Sequence, residues 1–91
     1  MSIIKKFSSP FGEVELTDER KRHIFHFHPE VKKYRGYLVK VLAKPETIRA
    51  SKYDPAVRII YHKINVRKYL AVVIKINQRN FVLTAYLTTK F

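Results

Sequence analysis

The sequence predicts an α+β domain in which two N-terminal helices pack on one face of a three- to four-stranded antiparallel sheet. Three observations predict it. Apolar residues recur at three- and four-residue steps only in the first half of the chain. From Val57 onward the period changes to alternation, in three runs rich in β-branched and aromatic residues. The connections between those runs are short and polar, leaving no room for a crossover helix, so the strands should pair as an antiparallel meander. With 91 residues, 46% of them hydrophobic and including six Phe and six Tyr, the chain can build one core but not two. Residues 1–91 are therefore read as a single domain, with helices over about 17–43 and the sheet over about 47–88.

Residues 11–16 alternate Val14 and Leu16 with Glu13 and Glu15, a short half-buried strand after the Ser-Ser-Pro turn signal. Thr17, followed by Asp18 and Glu19, reads as the N-cap of a first helix whose positive end meets two acids. That helix is expected to reach Phe27 and to break at His28, because Pro29 disfavours helical geometry in the residue before it. Over residues 30–43, Val31, Tyr34, Leu38, Val41 and Leu42 fall on one stripe of a second helix. Gly36 weakens that helix by about 1 kcal/mol relative to Ala, and Pro45 closes it. Residues 47–52 supply a further edge strand in the four-stranded version of the sheet. The main strands are residues 57–64, 69–76 and 81–88, with linkers 65–68 and 77–80.

Charge points to the partner. There are 19 Lys plus Arg against 7 Asp plus Glu, a formal charge of +12. The last acidic residue is Asp54, after which Arg58, Lys63, Arg67, Lys68, Lys75, Arg79 and Lys90 follow with no carboxylate to offset them. A purely solubilising surface usually intersperses both signs, so this half is expected to meet a polyanion, RNA above all. The absence of Cys excludes disulfides, thiolate metal sites and cysteine nucleophiles. No apolar run approaches the roughly 20 residues of a membrane span, and the N-terminal segment has no sustained apolar stretch of a secretion signal. The expectation is a cytoplasmic protein without a membrane partner.

Strand parity selects the candidate side chains. Leu70, Val72, Ile74 and Ile76 should face the helices, leaving Tyr69, Ala71, Val73 and Lys75 on the open face. By the same rule Phe81, Leu83, Ala85 and Leu87 are core, and Val82, Thr84, Tyr86 and Thr88 join Lys75 on the open face. The parity of residues 57–64 stays undecided, since Arg58 and His62 share one face and Tyr61 and Lys63 the other. Lys63, Arg67, Lys68, Lys75 and Arg79 are the candidate phosphate contacts.

Three of the four histidines lie in HIFHFHPE, where His23 and His26 share a helical face and His28 sits at the helix exit. As metal ligands they lack a fourth partner, since only Glu30 stands nearby, and no metal or cofactor is expected. As structural residues they would be silent, and His26 best fits that role. As acid/base groups they would exchange protons with a ribose hydroxyl near neutrality, while cations or hydroxyls hold the phosphate. A non-catalytic RNA-binding domain could carry the same inventory, with aromatics stacked on bases.

The order LTDERKRHIFHFHPE, a helix ending in LAKPETIRAS, then RIIYHK and a closing FVLTAYLTTKF resembles the phage-associated nucleases of the barnase, EndoU, colicin and RelE like (BECR) superfamily. The resemblance covers nearly the whole chain from about Leu16. It implies helices followed by an antiparallel four-stranded sheet and metal-independent endoribonuclease activity. It also implies a catalytic set of His23, His28, Arg58, Tyr61, Thr84 and Tyr86. A toxin-like nuclease would have a protein inhibitor or antitoxin as a second partner. His26 is extra to the pattern.

Overall fold

A tight turn at Pro10 and Phe11 joins the first two strands, β1 (Ile3–Ser9) and β2 (Gly12–Thr17), in the computed structural model, which describes residues 3–89. Lys90 lies outside them. Ser9 Oγ donates to the Gly12 carbonyl at 2.7 Å and accepts from the Phe11 N–H, while Gly12 takes a φ of +100, open in practice only to glycine. β1 escapes the alternation rule because its sequence runs in pairs, Ile-Ile, Lys-Lys and Ser-Ser around Phe7, and its register shifts between Ile3 and Lys5. Of its side chains only Phe7 is buried.

Helix α1 (Asp18–Phe27) begins where expected. The Thr17 hydroxyl accepts from the Arg20 N–H at 3.2 Å, and Ile24 is its buried residue. The stripe over residues 30–43 does not make one helix. It divides into a 3-10 helix (Pro29–Tyr34) and a short α2 (Tyr37–Ala43), separated at Arg35 and Gly36. Spacing of three serves a 3-10 turn as well as an α-helix, so Val31 and Leu38 both reach the core without a continuous helix between them. Strands β3 (Thr47–Ala50), β4 (Val57–Asn65), β5 (Lys68–Lys75) and β6 (Asn80–Thr88) follow.

Among the described residues the sheet has six strands, in the order β1-β2-β6-β5-β4-β3. All neighbours are antiparallel except β2 and β6, which pair in parallel through Val14 with Asn80 and Glu15 with Phe81. The expected layout of two N-terminal helices on a three- to four-stranded antiparallel sheet is therefore overturned. A hairpin precedes the helices, the sheet is mixed, and the helical layer consists of three short pieces. The BECR-like layout implied by the resemblance fails for the same reason. The missing information was non-local: only the pairing of β2 with β6 brings the hairpin into the sheet.

The helices cover one face. Its core joins Phe7, Val14 and Leu16 of the hairpin to Ile24, Val31, Leu38, Val41 and Leu42, and to Ile60, Leu70, Val72, Ile74, Val82 and Ala85 of the sheet. A bulge modifies the expected parity of β6. Val73 opposes Thr84 but Ile74 opposes Val82, so Leu83 is the extra residue. Val82 is consequently core, and Phe81 pairs with Lys75 on the other face, each opposite to expectation. C-terminal to the bulge, Ala85 and Leu87 point to the helices, and Thr84, Tyr86 and Thr88 point away.

Candidate active site

Cross-strand pairing resolves the face left undecided by the sequence. Ile60 opposes Val72 in the core, so Arg58 and His62, two residues either side, share the helix-covered side. Tyr61 opposes Ala71, which in turn opposes Tyr86, forming one row across β4, β5 and β6 on the far face. The small Ala71 between two rings lets the phenols meet above it. Burial first, and then the charge and hydrogen bond of Tyr61, raise the Tyr86 hydroxyl above the ordinary tyrosine pKa. Tyr86 thus stays a proton donor across the neutral range.

His28 reaches this row past the edge of β6. Because β2 pairs with β6 only near Asn80 and Phe81, the rest of that edge lies against α1 and the 3-10 helix. His28 is the C-cap of α1, its N–H donating to the Ile24 carbonyl at 2.7 Å, and Pro29 turns the chain immediately afterwards. Its ring centroid lies 5.9 Å from that of Tyr86 at an interplanar angle of 42°. On the other side, His28 Nδ1 is 3.7 Å from Glu30 Oε2, a Coulombic contact for a protonated ring and too long for a hydrogen bond. Glu30 was legible in the sequence only as a lone carboxylate. The His-Pro-Glu triplet is the signal for its role, because the turn at Pro29 returns residue 30 to the imidazole.

Thr84 stands on the same far face, two residues before Tyr86 and opposite Val73. Its hydroxyl is buried and finds no hydrogen-bond partner among the described residues. A polar group so held costs stability unless something else employs it.

The remaining candidates are elsewhere. His23 is exposed on α1 and packs on Phe27, ring centroids 4.8 Å apart. Arg58 donates from its guanidinium to the carbonyls of Pro55 and Val57, bracing the loop before β4 on the side away from Tyr61. His62 Nδ1 lies 3.3 Å from Glu46 Oε1 but off the hydrogen-bond direction, with its ring 6.0 Å from Tyr37. Among the described residues, no three His, Asp or Glu side chains converge as a metal-binding group.

The five candidate phosphate contacts separate into two sets. Lys63, Arg67 and Lys68 are exposed at the β4–β5 hairpin, at the end of the far face where Tyr69 opposes Lys63 and Thr88. Lys75 and Arg79 stand at the opposite end and are already engaged. Lys75 Nζ is 3.4 Å from Asp54 Oδ2, and Arg79 binds Glu15 Oε2 through Nε at 3.2 Å and Nη2 at 2.6 Å. The Ala56 N–H, and after it Lys75, hold the Asp54 carboxyl below its usual pKa, so that pair remains ionic. Free positive charge on the far face is concentrated at the hairpin.

No helix among the described residues is long and apolar enough to cross a membrane. No protein-family model matches the chain, and neither a curated protein nor a solved structure shows significant similarity to it. Functional assignment therefore rests on the geometry.

Proposed function

We propose that the protein is an endoribonuclease of the cytoplasm that cleaves RNA by acid/base catalysis at the His28–Tyr86 pair. The observation that carries this reading is the imidazole of His28 in ring contact with the Tyr86 phenol at the end of the Tyr61–Ala71–Tyr86 row. His28 takes the proton of the ribose 2'-hydroxyl as that oxygen bonds to phosphorus. The bond to the 5'-oxygen breaks, and the leaving oxygen receives a proton from Tyr86, which solvent exchange returns by way of His28. Lys63, Arg67 and Lys68 hold the phosphates of the strand at the hairpin end of the face. No step calls for a metal or cofactor. If the nuclease is toxin-like, a protein inhibitor would cover this face.

Labelled RNA incubated with the protein in EDTA tests the reading. Fragments ending in a 2',3'-cyclic phosphate are expected, with His28→Ala slowing cleavage by about 10²- to 10⁴-fold. Equal cutting by the variant would sink the assignment. One observation favours a second reading, a non-catalytic RNA-binding domain: His28 is the one imidazole in ring contact with Tyr86 among the described residues, where metal-free cleavage is often shared by two. Salt-steep RNA binding with no fragments would select it.

A further inference from the structure

Both flanks of α1 carry side chains that the candidate site leaves unused. On one flank, Lys21 and Phe25 of α1 and Lys32 of the 3-10 helix line an open cleft of about 670 Å³ with Arg22 and His26. The ammonium groups of Lys21 and Lys32 each stand 5.8 Å from the Phe25 ring centroid. Among the described residues Asp18 is the one carboxylate lining this cleft, and Arg22 lies 3.7 Å from it. An adjoining cavity shares Lys21 and Phe25, adds Lys5 and Arg35, and is lined by no carboxylate among the described residues. A ring face attracts cations but does not neutralise them. Two ammonium groups brought by separate elements to one ring thus form a surface complementary to consecutive phosphates.

Phe27 lies beyond this cleft on the same helix, 63% exposed and outside the hydrophobic core. His23 and His26 flank its ring, both at 4.8 Å, the first tilted and the second edge-on. His26 also lines the cleft, and His28 touches Tyr86. Three consecutive residues therefore join the basic cleft, an exposed aromatic surface and the candidate site.

We propose that single-stranded RNA extending from the His28–Tyr86 site crosses α1 with a base stacked on Phe27 and sets its following phosphates in the Lys21–Lys32 cleft. This rests on the functional reading above and names its substrate class. The strand must be single, because a base held in a duplex cannot present its face to Phe27. The track also makes binding depend on length, since a very short strand fills the site without reaching the cleft.

The full chain carrying His28→Ala, which prevents cutting, is titrated with fluorescent oligouridylates of about three and about twelve nucleotides and with a duplex of the longer length, read by anisotropy. Lys21→Glu with Lys32→Glu, and separately Phe27→Ser, are expected to weaken binding of the long strand about tenfold and to change the short strand by less than about twofold. All three positions are on the surface, and circular dichroism verifies the fold. Unchanged long-strand affinity in both variants, or a duplex bound as tightly as the single strand, overturns the track. If RNA is not cut by the wild type yet the variants lose the long strand, the track stands and the catalytic reading falls. If the wild type cuts RNA and both variants bind the long strand as tightly as the chain carrying His28→Ala alone, the track falls and the catalytic reading stands.

Discussion

Asn80 donates its side-chain amide to the Phe11 carbonyl at 2.8 Å while its own Oδ1 accepts from the Asn77 N–H at 3.2 Å, tying the β1–β2 turn to the β5–β6 turn. This small bridge sits where β2 and β6 pair in parallel, through Val14 and Asn80. The hairpin is thereby joined to the rest of the sheet at the point where loss of a partner would leave backbone carbonyls unpaired. Asn80→Ala is expected to lower stability by about 1–3 kcal/mol in urea unfolding. Hydrogen exchange should also show β1 and β2 opening before β4 and β5. Uniform exchange across the sheet would show that the hairpin is held by its apolar contacts instead.

Thr84 tests what an unpartnered buried hydroxyl costs the fold. Its buried hydroxyl has no hydrogen-bond partner among the described residues, so replacing it with a methyl group removes a cost and suits a strand. Thr84→Val is expected to leave unfolding free energy within about 1 kcal/mol of the wild type or above it. The same change should leave the rate of RNA cleavage unchanged, because a hydroxyl closed to solvent does not reach the phosphate. A large loss of stability would mean that the hydroxyl is bonded within the fold.

Tyr86 predicts an alkaline dependence. Burial, then Tyr61, raise its folded pKa above the unfolded value. A contribution of this sign is fully present below the unfolded pKa and is lost as pH rises through the folded one, so stability should fall in the range above about pH 10. Phenolate absorbance should show one late-titrating component that disappears in Tyr86→Phe. In Tyr61→Phe that component should move toward the ordinary value without reaching it, because burial is the larger cause. A late component at the same pH in Tyr61→Phe as in the wild type would exclude the coupling.

Local chemistry explains which parts of this structure could be read from the chain alone. Thr17 and Pro29 bracket α1 because capping and the exclusion of helix before proline act over a few residues. Thr84, Tyr86 and Thr88 share a face because alternation holds as far back as the bulge, and Leu83 is where it fails for Val82 and Phe81. Nothing local signals that bulge. The face of Tyr61 depends on Ile60 meeting Val72, and the approach of His28 to Tyr86 depends on β2 leaving the β6 edge uncovered. Both are relationships between distant segments. His23 and His28 are indistinguishable as residue types, yet only the second lies at the turn that carries it to the sheet.

Charge partition gives the most direct test of the RNA-binding face. Lys75 and Arg79 are matched by Asp54 and Glu15, while Arg67 and Lys68 project from the hairpin with no carboxylate bridged to them among the described residues. Each cation that meets a phosphate of a single strand contributes roughly 0.7 to the slope of log affinity against log salt. Arg67→Ala with Lys68→Ala should therefore reduce the slope by about 1.4. Lys75 and Arg79 do not enter that sum while their carboxylates hold them. Asp54→Asn with Glu15→Gln releases both, and the slope should then steepen by up to about the same amount, with tighter binding at low salt. The opposite pattern, a flat response to the hairpin pair and no gain from releasing the other two, would move the RNA away from the hairpin end of the sheet. The Tyr61–Tyr86 row would then have to be approached from the Lys75 side.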